Sequence, residues 1–239
     1  MREQPEQQAP PVQRLRIRYA KRGRLRFTSH RDFSRAFERA VFRARIPMAY
    51  SSGFNPHPRI SYAGAAPTGS ASEAEYLEIA LAQVVVPADV AAQLAEALPP
   101  GLDVLEVVES AGGSLSERLE ASHWSLDIVV DPTAARDAVA AFLAAESVEV
   151  ERMTKKGLRT FDCRAAVVSL AVTEPADRAG VRLELVLRHG TPSVRPDDVL
   201  SGLRAIAGLD AGTQVLLTRA AQGPLAEDGT VGDPLTSGE

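Results

Sequence analysis

The predicted strands and helices of this chain follow one order twice, and this repetition restricts the fold more than any other feature. Residues that alternate with period two predict strands, and apolar residues spaced by three and four predict helices. The order in the first half is strand, helix, strand, strand, helix, strand, and it returns after Gly112-Gly113-Ser114. This βαββαβ order is typical of the ferredoxin-like fold. The sequence therefore predicts an α/β (α+β) protein of two tandem ferredoxin-like modules, each with an antiparallel sheet covered by helices on one face.

The predicted elements lie at the following positions. In the first module they are one strand or a strand pair over 15–27, a helix from Ser29 that Pro47 ends, extended pieces over 48–51 and 60–63, a strand over 76–81, a helix over 90–98 and a strand over 102–108. In the second they are strands over 124–130, 148–153, 165–172, 181–187 and 214–218 and helices over 134–144 and 196–207. The second module thus has room for one added strand.

The length of 239 residues suits two compact units, since domains commonly contain about 100 to 150 residues. The predicted boundaries are a disordered tail over 1–13, a first module over 14–111, a linker over 112–122, a second module over 123–221 and a disordered tail over 222–239. Both tails are predicted because their Pro-, Gln- and Gly-containing sequences hold few residues that build a core.

Charge is distributed unevenly along the first module. Between Arg14 and Arg59 the sequence has thirteen Lys or Arg and two acids, whereas from Ile60 to Glu120 it has ten acids and one base. The net charge of −4 conceals this basic segment. Such a segment is typical of proteins that bind an anion, most often a nucleic acid backbone, although an acidic protein surface is an alternative partner.

The predicted first helix concentrates arginines on one face. Its apolar face contains Phe33, Phe37 and Val41 at helical spacing. The other face carries a row at four-residue intervals, the arginine ridge: Arg31, Arg35, Arg39 and Arg43. Guanidinium groups bind phosphates in a bidentate manner and stack on bases, which favours RNA or DNA as the ligand. The alternative is that these arginines pair with acids of the same module or of a protein partner.

The loop SSGFNPHPR over 51–59 is a second candidate site. Its two prolines fix φ and restrict the residues before them, so the loop is predicted to be stiff. Asn55, His57 and Arg59 would then present an amide, a titratable base and a cation at defined positions, which suits a binding site. The alternative is a structural hairpin, and for Phe54 we expect a side chain that fills the core.

A second basic stretch lies in the second module, between two predicted strands. Its cations are Lys155, Lys156, Arg159 and Arg164. Gly157 would permit close approach of a phosphate. The alternative is an ordinary exposed connection, in which lysines are well tolerated.

The segment from Ser29 to Leu81 resembles a bacterial family of radical-SAM-linked proteins of unknown function, and the likeness extends over about residues 14 to 220. The residues that carry it are Ser29-His30, Asp32, Arg35 to Ala40, Ile46-Pro47, Gly53 to Pro58, Gly69 and Glu73 to Glu75. Members of that family are encoded beside, or fused to, a radical SAM enzyme. The resemblance therefore implies a radical SAM enzyme as partner, and it implies no activity for this chain itself.

Several kinds of site are not predicted. One cysteine, Cys163, provides neither an internal disulfide nor a cysteine-bound zinc or iron–sulfur site. The four histidines lack the close spacing of metal ligands, so neither a metal nor a cofactor is expected. The sequence has no apolar run of 18 residues and no apolar signal core at its amino terminus. We therefore expect no membrane span and a cytoplasmic location.

These features predict a non-catalytic accessory subunit that binds RNA or presents a substrate to a radical SAM enzyme. Two alternatives stay open. The first is an RNA-processing or RNA-modifying enzyme in which His57 or His30 is the general base and Asp162 assists. The second is a protein–protein adaptor that binds no nucleic acid.

Overall fold

The computed structural model of the chain describes residues 7–154, 157–174 and 180–236. The architecture is mixed α/β, with antiparallel sheets and, in the described ranges, four α-helices. The described residues divide into two compact units: unit 1 runs to Glu117 and includes Leu235 and Thr236, and unit 2 runs from Arg118 to Pro234. The division at 117/118 lies inside the predicted linker over 112–122. None of the described helices is long and apolar enough to cross a bilayer.

The described residues of unit 1 form four strands and two α-helices in the order strand, helix, strand, strand, helix, strand. They are β1 (Gln13–Lys21), α1 (His30–Arg43), β2 (Ile60–Ala63), β3 (Ala71–Leu81), α2 (Pro87–Ala97) and β4 (Leu102–Glu109). The sheet order is β4-β1-β3-β2, and every pair is antiparallel. In the centre of the sheet, Ile17 of β1 lies opposite Leu77 of β3 and Val107 of β4. The long central strands β1 and β3 thus hold the two helices on one face.

The core of unit 1 is formed where alternate residues of β1 and β3 meet the apolar faces of the helices. Its members include Leu15, Ile17, Leu77, Ile79, Phe33, Phe37, Val41, Val90 and Leu94, all of them buried. Tyr19 stacks on Phe33 with ring centroids 4.4 Å apart. The period of two in the strands and of three to four in α1 therefore places the same residues in the core that the sequence pattern predicts.

Unit 2 contains an antiparallel sheet, two α-helices and a separate hairpin. Its elements are β5 (Ala121–Ile128), α3 (Pro132–Ala144), β6 (Glu149–Thr154), β7 (Gly157–Asp162), β8 (Val167–Thr173), β9 (Val181–Arg188), α4 (Pro196–Ala207) and β10 (Leu216–Gly223). The sheet order is β10-β5-β9-β8, while β6 and β7 pair only with each other. Without the hairpin, the order of elements and of strands is the same as in unit 1.

The β6–β7 hairpin corrects the prediction of a basic loop between two strands. Residues 157–162 form a strand in register with β6, and Phe161 lies opposite Val150, both of them buried. The alternation in this stretch was obscured because the first four residues of β7 are exposed, and they include both polar and apolar side chains. Unit 2 therefore has two added strands, where the sequence predicted one.

Two further segments differ from the sequence-based expectations. Residues Gly23–Phe27 form a 3-10 helix after β1, because Gly23 adopts a φ of 54° and turns the chain. After β10, residues 224–236 lie in turns within the predicted disordered tail. The amide of Ala226 donates to the carbonyl of Thr230 at 2.9 Å, and that of Gly232 to Pro224 at 2.8 Å. Turn-forming residues, and not a hydrophobic run, order this segment.

Candidate nucleic-acid interface

The arginines of β1 are paired with acids of the same unit. Arg14 and Arg16 both contact Glu78 of β3, each at 3.1 Å, and Arg22 at the end of β1 pairs with Glu73. These acids belong to the acidic segment that follows the basic one in sequence. For Arg14, Arg16 and Arg22 the structure therefore agrees with internal pairing.

Arg16 also shows that the face of the sheet away from the helices is covered. Its side chain is 1% exposed, although it lies between two residues that face the helices. One of its guanidinium nitrogens donates to the carbonyls of Gly112 and Gly113 at 2.6 and 3.0 Å. The segment after β4 thus closes over this part of the sheet, whereas the arginines on the outer face of α1 are exposed.

The position of α1 is fixed by its cap and by its apolar face. Ser29 Oγ accepts from the amide of Asp32 at 3.2 Å and donates to the carboxylate of Asp32 at 2.7 Å. Phe33 and Phe37 lie in the core. The opposite face of α1 is consequently turned to solvent along its whole length.

The arginine ridge is exposed and mostly unpaired. In the described part of the chain, Arg31, Arg35 and Arg39 have no carboxylate within 4 Å. Arg43 donates a hydrogen bond to the carbonyl of Ala97 at the end of α2 and so tethers the two helices. Three guanidinium groups at four-residue steps are therefore available to an anion, and the fourth is held in place beside them.

Two neighbouring grooves lie along α1. The arginine groove, of about 660 Å³, is lined by Arg35, Glu38, Arg39, Phe42 and Arg43. The apolar groove, of about 590 Å³, is lined by Glu38, Val41, Phe42, Arg45, Ile46, Met48, Tyr50 and Pro58. The two grooves share Glu38 and Phe42. Cations thus line the first groove and apolar side chains most of the second.

The 51–59 loop is held as a hairpin beside the apolar groove. The amide of Ser51 donates to the carbonyl of His57 at 2.9 Å, and Arg59 Nε donates to the carbonyl of Tyr50 at 3.1 Å. Tyr50 and Pro58, at the base of the loop, line the apolar groove. The structure thereby brings the base of the loop to the carboxyl-terminal part of α1. Neither His57 nor Arg31 lines either groove.

Phe54 corrects one expectation for this loop. The sequence predicted that its side chain fills the core, but it is 71% exposed at the tip of the loop. The reason is that the hairpin pairing from Tyr50 to Pro58 directs the tip away from the core. Asn55 and His57 are likewise exposed, whereas Arg59 is half-buried.

Exposed aromatic side chains, which the sequence pattern did not predict, lie within the basic segment of the sequence. Among the described residues, the exposed aromatics are Phe27, Phe42, Tyr50 and Phe54, and all lie within residues 27–54. Phe42 is 81% exposed, and Arg26 packs over the ring of Phe27 at 4.5 Å. The sequence contained a signal for the exposure of Phe42, because Phe42 does not follow the three- and four-residue spacing of the apolar face of α1.

The residues considered for catalysis have structural contacts. The ring of His30 packs edge-on against the ring of Tyr62, with their centroids 4.9 Å apart. Burial raises the pKa of the Tyr62 hydroxyl to about 12. Asp162 Oδ1 accepts from the amides of Val148 and Arg164, both at 2.9 Å, and so closes the base of the β6–β7 hairpin. In the described ranges, no three His, Cys, Asp or Glu side chains are grouped to hold a metal ion.

The two described cations of the second basic stretch, Arg159 and Arg164, have different surroundings. Arg159 is exposed on β7, while Arg164 donates to the carbonyls of Val167 and Leu143 at 3.1 and 3.3 Å. Lys155 and Lys156 lie outside the described residues. Arg164 therefore has a structural role, and Arg159 is the described member of this stretch that is available to a ligand.

Comparison with known families identifies the chain. Residues 14–196 match a bacterial family described as "Uncharacterized protein conserved in bacteria (DUF2344)". The chain belongs to this family. No curated protein matches it.

Several solved structures resemble the chain. Among them is one titled "Crystal Structure of a Cbf5-Nop10-Gar1 Complex", with 12% sequence identity and a TM-score of 0.46. The match covers 95% of this chain, which spans 56% of the length of the matched chain. A likeness of this degree carries no argument about function, so the functional proposal depends on the geometry of α1.

Proposed function

We propose that this DUF2344 protein is a non-catalytic RNA-binding subunit that works in the cytoplasm with a radical SAM enzyme. The observation that carries the RNA-binding part is the outer face of α1, where the unpaired Arg35 and Arg39 line a groove together with Arg43 and the exposed ring of Phe42. The proposed partnership with a radical SAM enzyme depends on the family resemblance of the sequence.

We also infer that both units are ferredoxin-like modules. In unit 1 the order β4-β1-β3-β2 follows from two interlocked strand–helix–strand segments, and unit 2 has the corresponding order β10-β5-β9-β8. The β6–β7 hairpin is then an insertion between the first helix and the second sheet strand of unit 2. This assignment explains why the same succession of elements appears twice in the sequence.

The chemistry of the α1 surface fits single-stranded RNA. Guanidinium groups bind phosphates, and exposed aromatic rings stack on unpaired bases, which contributes about 1–3 kcal/mol per base. A protein adaptor would use the same arginines against carboxylates, and aromatic side chains are common at protein interfaces as well. The salt dependence of binding and the partner that the ridge variant loses separate the two functions.

The geometry favours binding over catalysis. His57 is exposed at the loop, and His30 packs on Tyr62, where it contributes to the packing of α1. Asp162 is occupied by two backbone amides of unit 2. The enzyme hypothesis would need these groups to act together on one substrate, whereas the arginines and Phe42 already line one groove.

The test is the salt dependence of RNA binding by the double variant Arg35→Ala/Arg39→Ala. The matched control is Arg136→Ala/Arg204→Ala, which removes two exposed arginines from helices of unit 2. Binding of a short, labelled single-stranded RNA is measured by fluorescence anisotropy at several salt concentrations. The slope of log K against log salt is negative, and each phosphate contact to a single strand contributes about −0.7 to it. The slope of the ridge variant should therefore be less steep than that of the wild type by about 1.4, and the control should keep the wild-type slope.

A folded ridge variant that binds RNA with the wild-type slope would refute the proposal. If the ridge variant instead kept its RNA affinity and lost binding to a radical SAM enzyme, the adaptor function would replace RNA binding.

A further inference from the structure

The apolar groove has the size and lining of a ligand site. Its volume of about 590 Å³ lies within the range of about 300–1,000 Å³ that is common for small-molecule sites. Most of its lining is apolar, and Phe42 and Tyr50 present aromatic rings to it. Because it shares Phe42 and Glu38 with the arginine groove, a strand whose phosphates lie along the ridge would pass its opening.

Glu38 is the unusual residue in this arrangement. It is the one acid between Asp32 and Glu73 in the sequence, and it lines both grooves. In the described ranges its carboxylate has no hydrogen bond and no cation within 4 Å, although arginines precede and follow it in α1. A carboxylate at this place repels phosphate, so a bound RNA must present something else to it.

Nucleobases offer the N–H donors that a carboxylate accepts. Guanine has two adjacent donors on its Watson–Crick edge, the ring N1–H and the exocyclic amine, which match the two oxygens of a carboxylate. Adenine and cytosine have one exocyclic amine each on that edge, and uracil has one ring N–H. Unpaired bases in RNA are commonly recognised by stacking on aromatic rings together with hydrogen bonds to this edge.

We propose that the apolar groove binds one unpaired guanine of the RNA, with Phe42 and Tyr50 against its faces and Glu38 accepting from its Watson–Crick edge. This inference rests on the proposed RNA-binding function and adds the base that is read. Arg45, which also lines the groove, is placed to meet the phosphate of that nucleotide. Glu38 is thereby a specificity-determining residue, while the arginines of the ridge bind any sequence.

The test compares short oligouridines that carry one central guanine, inosine, adenine, cytosine or uracil. Good bidentate base contacts discriminate by about 1–3 kcal/mol, so central guanine should bind roughly tenfold tighter than central uracil. The oligonucleotide with central inosine, which lacks the exocyclic amine, should bind with an affinity between those of central guanine and central uracil. Glu38→Gln should reduce the preference for guanine to about twofold, since an amide has one acceptor where the carboxylate has two.

The matched control is Glu96→Gln, which removes an exposed carboxylate from α2 of the same unit and should leave the preference unchanged. Phe42→Ala should weaken the binding of every oligonucleotide, since any base can stack on an aromatic ring. Both Glu38 and Phe42 are exposed, so these variants should fold.

The outcomes separate the two proposals. If no oligonucleotide binds, RNA binding itself is wrong and guanine recognition falls with it. If all five bind equally and binding still depends on Arg35 and Arg39, RNA binding stands and guanine recognition is overturned. A guanine preference that persists in Glu38→Gln would also overturn the role of Glu38.

Discussion

Replacing Arg45 by glycine should make unit 1 more stable and its binding of RNA weaker. Arg45 has a φ of 54°, in the left-handed region that favours glycine, and it follows the last residues of α1. Its amide donates to the carbonyl of Phe42 and that of Ile46 to Val41, both at 3.1 Å. These two bonds form a Schellman motif, in which the position of Arg45 is usually glycine.

The magnitude follows from the backbone. A left-handed conformation costs a residue with a Cβ about 1–2 kcal/mol, and the greater freedom of glycine in the unfolded chain offsets about 0.5–1 kcal/mol of that. Arg45→Gly should therefore increase the free energy of unfolding by about 0.5–1 kcal/mol. In a protein of this size, such a change raises the melting temperature by about 1–4 °C.

The assay combines chemical denaturation with RNA binding, and Arg45→Ala is the matched control. Alanine removes the same guanidinium group from the apolar groove but keeps the Cβ, so it should weaken RNA binding as much as glycine does without the gain in stability. A glycine variant that is less stable than the alanine variant would refute the backbone argument. If both variants bound RNA with the affinity of the wild type, Arg45 would not be part of the RNA interface.

Three further predictions concern the interiors of the two units. Glu78→Gln leaves the charge of buried Arg16 uncompensated and should lower the free energy of unfolding of unit 1 by about 3 kcal/mol, measured by urea denaturation. Gly202→Ala would place a Cβ 2.9 Å from both Cys163 Sγ and Phe142 Cε2, and this overpacking should destabilise unit 2 by about 1–3 kcal/mol. Burial raises the pKa of Cys163 to about 12, so a thiol reagent should modify it only after unfolding. Because the native thiol keeps its proton while the unfolded one loses it, stability should fall as the pH rises above about 8.5.

The start of α1 was predictable from the sequence and its end was not. Ser29 and Asp32 form a local cap whose spacing is visible in four residues. At the other end, Pro47 pointed to a stop, yet the helix ends at Arg43 because Arg45 turns the chain. An arginine in the left-handed conformation leaves no signal in the sequence, since glycine or asparagine is the residue expected there.

The polar face of β1 shows a second limit. Alternation correctly separates Leu15 and Ile17 from the arginines between them, but it cannot tell whether a polar residue faces water or a partner. The partner of Arg16 is Glu78, 62 residues away, and its other contacts are carbonyls of residues 112 and 113. The covered face of the sheet depends on these long-range pairs, which local pattern does not contain.

The basic segment thus divides into two groups according to where the acids lie. Strand β1 has β3 as its neighbour, and β3 carries Glu73 and Glu78, so the arginines on and next to β1 find partners. On α1 the neighbours at four-residue steps are other arginines, and like charges at that spacing destabilise a helix by about 0.2–0.5 kcal/mol per pair. The ridge has three such pairs.

This repulsion leads to the last prediction. Arg35→Ala/Arg39→Ala removes all three like-charge pairs and introduces the best helix former at both positions, so it should raise the free energy of unfolding by up to about 1 kcal/mol. Denaturation at low salt measures the gain, and added salt should reduce it, because screening weakens the repulsion in the wild type. A double variant that is less stable than the wild type would mean that these arginines contribute to the fold. If the variant is more stable and also loses RNA binding, then the face of α1, like Arg45, carries a ligand-binding feature at the expense of stability, as expected where function and not folding selects the residue.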